Sequence, residues 1–388
     1  MTKRSLVWSA AWAPLWILVL HPWWQRQKRK SLWVVGGHRG RDYADNAGAL
    51  HAEASRQGRD AFFIARRDLE GQLQTKGVKT LRQGSFAARR AISRAETLIY
   101  SHGEDDLDPA MILLRGRTSA RVYLGHSLSL MKGGGVTDPI LRKASWARKA
   151  LLTWLMTDCD HFLYSSEAER ENFALCYPQH RSKLIEGGGA HLDFWFQGAS
   201  LPVKKRIFWF PTFRDTKAGN ALLRQQIRKV LDNSRLKEWL LEHDYELVLG
   251  THINTKKSDH PVKIARPFRL AEGANWVDEI RQSALLISDY SGVVFDFLAL
   301  ERPQLLFAFD LLDYQKTRHL LVDYPSIDFA LQPTSVDELV ACIVEERYLE
   351  PSLQKKIQKA RAHYLPAREG SFARASVEAI AQALETPR

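Results

Sequence analysis

The chain has 388 residues, 45% of them hydrophobic and 26% charged, which is ordinary for a soluble globular protein and long enough for two separate cores. Its 56 basic against 44 acidic residues give a net charge of +12, which fits polyanionic partners such as nucleotides, phosphate polymers or anionic lipid. No zinc-finger, basic-zipper or RNA-recognition pattern is present, so nucleic acid is set aside as a partner. The cysteines Cys159, Cys176 and Cys342 are far apart and form no C-x-x-C pair, which excludes a disulfide framework and fits small buried hydrophobes in a reducing cytosol.

In chain order, the first element is the apolar segment Ser5 to Pro22, uncharged apart from His21. It carries Trp8, Trp12 and Trp16 at a spacing of four, then Trp23 and Trp24, and the basic cluster Arg26, Lys28, Arg29, Lys30. A helix of about 20 residues reaches across ~30 Å of hydrocarbon. Pro14 in mid-segment and the tryptophans favour the membrane interface instead. A basic cluster where a cleavage site should lie argues against a signal peptide. Residues 1–30 are therefore expected to form an N-terminal hydrophobic helix that lies on or is shallowly anchored in the anionic cytoplasmic face of a membrane. The alternative is an apolar helix packed on the protein itself.

From Ser31 the pattern turns globular. Predicted strands are Leu32 to Gly36, Ala61 to Ala65, Thr97 to Ser101, Arg121 to Leu124 and His161 to Ser165, with helical patterns between them. A linker at Leu201 to Lys205 precedes a second series: Arg206 to Phe210, Tyr245 to Leu249, Ala284 to Ser288 and Gln304 to Ala308. Alternating strands and helices mean α/β domains with parallel sheets. The boundaries are expected at 31–200 and 201–388, the second domain ending in a helical tail. The capping box Ser335-Val336-Asp337-Glu338 opens a helix running to about Arg347.

The chemistry gathers at predicted strand ends. Ser288-Asp289-Tyr290-Ser291-Gly292 joins a buried strand to a helix carrying Val293, Val294, Phe297 and Leu298, and the amides of Ser291 and Gly292 at the helix start favour an anion. The plainer reading is a βαβ crossover whose Asp and Ser cap the helix. Thr212 and Arg214, in Pro211-Thr212-Phe213-Arg214-Asp215, follow another strand and suit phosphate; the alternative is an exposed Arg214–Asp215 pair. His252 follows the strand ending at Leu249, and His126 the strand ending at Leu124, each a candidate for proton transfer or charge stabilisation. No D-x-D cluster demands a metal, and no pattern calls for a cofactor. Gly133-Gly134-Gly135 lacks the residues of a Walker loop and reads as a flexible loop.

Ser288 to Asp296, with Glu301-Arg302-Pro303 and Phe309-Asp310, resembles the C-terminal signature of the CDP-glycerol glycerophosphotransferases, near S/T-D-Y-S-S-x-x-F-D, then R-P, then Y/F-D. Gly292 stands for the second Ser. Pro211 to Asp215 is similar to the family's P-T-F/W-R-D element, and His252 to the His of its K-x-H-P, with Gly250 and Ile253 replacing the Lys and Pro. His126 to Lys132 resembles W-H-G-T-P-L-K, with Ser127, Leu128 and Ser129 where Gly-Thr-Pro is usual. Fainter echoes are Trp33 to Gly36 with Asp45-Asn46, Ser165-Ser166-Glu167, and Gly187 to Gly189 with Asp193.

The resemblance implies two Rossmann-like domains facing a cleft, the glycosyltransferase-B type, and the two consecutive α/β series agree with it. It implies transfer of glycerol phosphate from CDP-glycerol, or a related CDP-alditol such as CDP-ribitol, to a polyol-phosphate or glycan acceptor, with release of CMP. His126 is then the expected base, and His252, Thr212, Arg214, Ser288, Asp289, Ser291 and Gly292 serve the donor. Two alternatives stay open. One is a glycosyltransferase of the same architecture, which would release a nucleoside diphosphate. The other is a catalytically degenerate envelope-assembly protein, supported by the departures around His126 and His252.

Overall fold

The computed structural model describes residues 13–28, 31–111, 119–138, 144–147, 159–250, 265–271, 276–367 and 371–385. The chain divides into two units, one built from Met1–Ser127, Ala144–Asp193 and Arg368–Arg388, the other from Leu128–Lys143 and Phe194–Ala367.

The first unit holds seven parallel strands: β1 (Leu32–Gly36), β2 (Asp60–Ala65), β3 (Thr80–Arg82), β4 (Thr97–Tyr100), β5 (Ala120–Tyr123), β6 (His161–Tyr164) and β7 (Leu184–Glu186), in the order β3-β2-β1-β4-β5-β6-β7. β1 is buried throughout and alternate side chains feed opposite cores. Trp33 and Val35 join Ala47 and Leu50 of the helix Asp45–Arg56 with Val377 and Ile380 of the helix Phe372–Glu385. Leu32 and Val34 join Ile92, Trp16 and Trp24 on the other face. The C-terminal helix is fastened by Asp193, which accepts from the amides of Phe372 and Ala373 at 2.7 and 3.0 Å. Residues at both ends of the chain thus build one core, so no single cut separates the units.

The apolar N-terminal segment forms a π-helical turn, Trp16–Leu20, followed by a short α-helix, His21–Gln25. Pro22 lacks the amide needed to continue the preceding ladder. Trp16 and Trp24 are buried, and the Trp16 indole donates to Ser93 Oγ at 2.9 Å. Leu18, Val19 and Trp23 stay exposed. Of the hydrophobic helix expected over residues 1–30, the described part is helical over residues 13–25, and residues 1–12 and 29–30 lie outside the described residues. Among the described residues no helix is long and apolar enough to cross a membrane.

The second unit holds β8 (Lys204–Trp209), β9 (Glu246–Leu249), β10 (Phe268–Leu270), β11 (Ser283–Ser288) and β12 (Gln304–Leu306), in the order β10-β9-β8-β11-β12 and again all parallel. Ile207, Trp209, Leu285 and Ile287 pack against Leu223, Trp239, Leu339 and Ile343 from the covering helices. Ser335 caps the helix Val336–Val344 as expected, its hydroxyl accepting from the Glu338 amide at 3.2 Å. Met131 to Gly133 adds to this unit: Lys132 bridges Leu320 in antiparallel fashion, with Leu321 N to Met131 O at 3.0 Å and Gly133 N to His319 O at 2.9 Å. A Cβ on Gly133 would lie 2.8 Å from His319 Cδ2, so any side chain there would force its neighbours to shift. In each sheet the strand order reverses once, between β1 and β4 and between β8 and β11, and ligands of open α/β sheets bind beyond the carboxyl ends at such a reversal.

Candidate active site

In the second unit, the reversal point is occupied by a buried ion network. Arg214, 3% exposed, donates from Nε and Nη2 to the two oxygens of Asp310 at 2.7 and 2.9 Å, and from Nη1 to Asp289 Oδ2 at 2.9 Å and to the Thr212 carbonyl. Asp289 Oδ1 accepts from the amides of Thr212 and Tyr290 at 2.9 and 2.6 Å. Tyr290 donates its hydroxyl to Asp310 at 2.9 Å and stacks on Tyr314 at 3.8 Å. Burial works against the Arg214 charge, yet Asp289 and Asp310 outweigh it and hold the guanidinium above its ordinary range. The residues expected to grip the donor are thus brought together, but Arg214 and Asp289 satisfy one another. Ser288 is likewise occupied, its hydroxyl donating to the Phe210 carbonyl at 2.9 Å.

Three groups around this network are open. The amides of Ser291 and Gly292 have no hydrogen-bond partner among the described residues. The Thr212 hydroxyl is buried without one. Lys132, carried in by the strap of residues 131–133, has its ammonium 6.0 Å from the Tyr314 ring centre, while nearby Asp289 and Asp215 are paired with Arg214 and Arg318. Burial pulls the Lys132 ammonium down to about 8, with Asp289 opposing. The helix after Gly292 is shorter than expected: Val293–Asp296, then a 3-10 turn Phe297–Leu300 closed by Glu301 at φ 51°. One turn sums little dipole, so anion binding there rests on the two amides themselves.

The first unit carries a histidine cluster. His38 lies just beyond β1, His102 beyond β4, His126 beyond β5 and His191 beyond β7. The rings of His102 and His126 stack at 4.2 Å, and those of His38 and His102 lie 4.4 Å apart. Asp106, fully buried, accepts from the amides of Arg39, Ser101 and His102 at 2.7, 3.1 and 2.8 Å. Burial opposes its charge, but the His102 ring and these amides hold its carboxyl at about 2. Asp45 binds the Ser127 amide with both oxygens, at 3.0 and 2.8 Å, fixing the turn that bears His126. Burial would raise the Asp45 carboxyl; His191, His38, His126 and the Ser127 amide together hold it below its usual range. Asn46 completes the fastening, donating to the Gly125 carbonyl at 3.2 Å while its oxygen receives the His191 amide at 3.1 Å. Asp45 (φ 58°) and Ser127 (φ 47°) are both in the left-handed region, a strain that persists only where surroundings enforce it. His252 lies outside the described residues.

His38, His102, His191 and Asp106 are the members sequence reasoning missed, while Asp310 and Lys132 enter it only as letters of the family's motifs, without a role. A usable signal existed for two of them: His38 and His102 each sit two residues beyond a strand end.

A family model described as CDP-Glycerol:Poly(glycerophosphate) glycerophosphotransferase matches residues 20–382. The chain is 24% identical over 251 residues to the teichoic acid ribitol-phosphate primase of Bacillus spizizenii, covering 60% of this chain and 62% of that one. It is 31% identical over 137 residues to the teichoic acid glycerol-phosphate primase of the same organism, covering 33% and 32%. These matches therefore span under two thirds of the relatives' length. The wall teichoic acid polymerase TagF superposes with a TM-score of 0.73 at 16% identity over 99% of both chains, which shows a shared fold.

Proposed function

Because the chain belongs to the CDP-glycerol:poly(glycerophosphate) glycerophosphotransferase family, we propose that it transfers glycerol phosphate from CDP-glycerol to a hydroxyl of a cell-envelope acceptor and releases CMP. The acceptor oxygen attacks the phosphorus bearing the glycerol, the bond from that phosphorus to the CMP oxygen breaks, and its electrons leave with CMP. The acceptor's proton passes to His126, held by the Asp45–Ser127 clamp. Charge on the diphosphate is met by the amides of Ser291 and Gly292, the Thr212 hydroxyl and Lys132. Arg214, Asp289 and Asp310 act by fixing the turn that presents those amides.

The observation that carries this reading is the pair of unpartnered amides, half-buried beside a closed ion network at a sheet reversal. The purified protein, incubated with CDP-glycerol, CDP-ribitol and UDP-sugars, is expected to release CMP from a CDP-alditol. Release of a nucleoside diphosphate from a sugar donor would show a glycosyltransferase, and release from no donor would show a binding protein.

The reading includes a peripheral contact with anionic lipid. Leu18, Val19 and Trp23 are exposed on the N-terminal segment, and Phe86, 65% exposed, packs its ring edge-on against Trp24 of the same segment at 5.0 Å. Arg26 and Lys28, just after this segment, and Arg90, on the helix that carries Phe86, are exposed as well. Replacing Trp23 and Phe86 with serine is expected to release the protein from phosphatidylglycerol vesicles in a sedimentation assay while donor turnover in solution is kept.

A further inference from the structure

The carboxyl ends of β1 and β2 carry a cationic edge that the transfer mechanism does not use. Along the sheet order β2-β1-β4-β5, successive strand ends present Arg66, then His38, Arg39 and Arg41, then His102, then His126. We propose that Arg41 and Arg66, with Arg39, form the subsite that holds a phosphodiester of the poly(glycerophosphate) acceptor for which the family is named. The proposal rests on the transfer reading and names the residues that hold its second substrate.

The loops that hold these arginines are fastened together. His38 and Arg39 are consecutive non-glycine residues in the left-handed region, at φ 49° and 53°. Gly40 follows at φ 68°, and a Cβ there would sit 3.0 Å from the Arg66 amide. Glycine lets that amide donate to the Gly40 carbonyl at 2.7 Å, while Arg66 Nε donates to the Arg39 carbonyl at 3.0 Å. A turn this strained and this laced to its neighbour holds three guanidinium side chains at one edge.

The local carboxylates leave two of those charges unmatched. Arg39 pairs with Asp105 at 2.6 Å. Asp106 is taken up by backbone amides and Asp45 by Ser127 and the histidines, while Glu104 pairs with Arg121 at 2.8 Å and Asp42 lies by His38. Arg41 and Arg66 have no carboxylate partner among the described residues. Partial burial and the charges of Arg41 and Arg39 together hold the Arg66 guanidinium below its ordinary range. Such a cluster is offset by a bound anion, and guanidinium forks match the geometry of phosphate. The edge is also correctly placed for an acceptor. Three strand spacings, ~14 Å, separate the end of β2 from that of β5. A chain bound by its phosphodiester at the arginines thus extends along the row of strand ends to the base.

The test compares Arg41→Gln/Arg66→Gln with the wild-type full chain, using a short glycerol-phosphate oligomer and a neutral disaccharide glycoside as acceptors. Direct binding of the fluorescently labelled oligomer is measured alongside CMP release. Binding and acceptor KM for the oligomer are expected to weaken by roughly tenfold or more, with a shallower salt dependence. Saturated turnover, donor KM and any use of the neutral acceptor should stay unchanged. Arg41→Lys/Arg66→Lys should recover much of the binding, which separates charge from folding. Unaltered oligomer binding in the Gln variant, or an equal loss toward the neutral acceptor, overturns the proposal. Absence of CMP release by a wild-type protein that binds the oligomer through these arginines would instead overturn the transfer reading.

Discussion

Beyond β8 and β11, Arg214 gives its donors to Asp289, Asp310 and the Thr212 carbonyl, whereas beyond β1 and β2, Arg41 and Arg66 meet no carboxylate among the described residues. The same side chain thus does opposite work in the two units. In the second unit, arginine is tied into a buried ion network that shapes backbone, and the groups left open beside it are two amides, a hydroxyl and one lysine. In the first, carboxylates are used to hold loops and the cations are left over. An arginine just past a strand end is therefore no evidence of a phosphate contact until its carboxylates have been counted.

The largest expected effect breaks the closed network. Arg214→Leu leaves Asp289 and Asp310 buried without their cation, and uncompensated charges of this kind cost about 3–5 kcal/mol. Denaturant unfolding should show that loss, and donor binding should fall with it. If Arg214→Leu instead folds with wild-type stability and loses only donor affinity, Arg214 is a ligand contact and the contrast between the units disappears. Next comes the base: His126→Ala is expected to lower turnover by about 10²–10⁴-fold while CDP-glycerol binding, read by calorimetry, is retained. Retained turnover would move the proton transfer elsewhere, with His102, stacked on it at 4.2 Å, the first alternative to examine.

The strands with long apolar runs were legible in the sequence, because burial on both faces demands them: β1, β8 and β11 all fall where the pattern puts them. β3, β7 and β10 were not. Each has three residues at a sheet edge and pairs on one side only, so little apolar sequence is needed to hold it. The same logic governs the site. The pattern around Arg214 and Asp289 was visible, and Asp310 stood in the resemblance as part of Phe309-Asp310, but its pairing with Arg214, 96 residues away, leaves no local trace. Asp45 and Asn46 could be read only as faint echoes; their work, fastening the His126 turn, appears once the helix that follows β1 meets the loops beyond β5 and β7.

Lys132 sharpens the comparison at its finest grain, since it lies among first-unit strands in sequence yet belongs to the second unit. Its ammonium is pulled down to about 8, chiefly by burial. The sign follows directly: the lysine is cationic below that pH and neutral above it, so its attraction for a diphosphate is present at neutral pH and lost as pH rises through about 8. Donor kcat/KM, which reports the free enzyme, should fall along an alkaline limb with that midpoint. Lys132→Met should raise donor KM by roughly tenfold at pH 7, the scale of one charge-assisted contact, and should abolish the limb. Lys132→Arg should restore affinity and keep it through pH 9, because a guanidinium does not titrate there. If the limb persists in Lys132→Met, the titrating group is another one, and the open side of the donor site is defined by the Ser291 and Gly292 amides and the Thr212 hydroxyl alone.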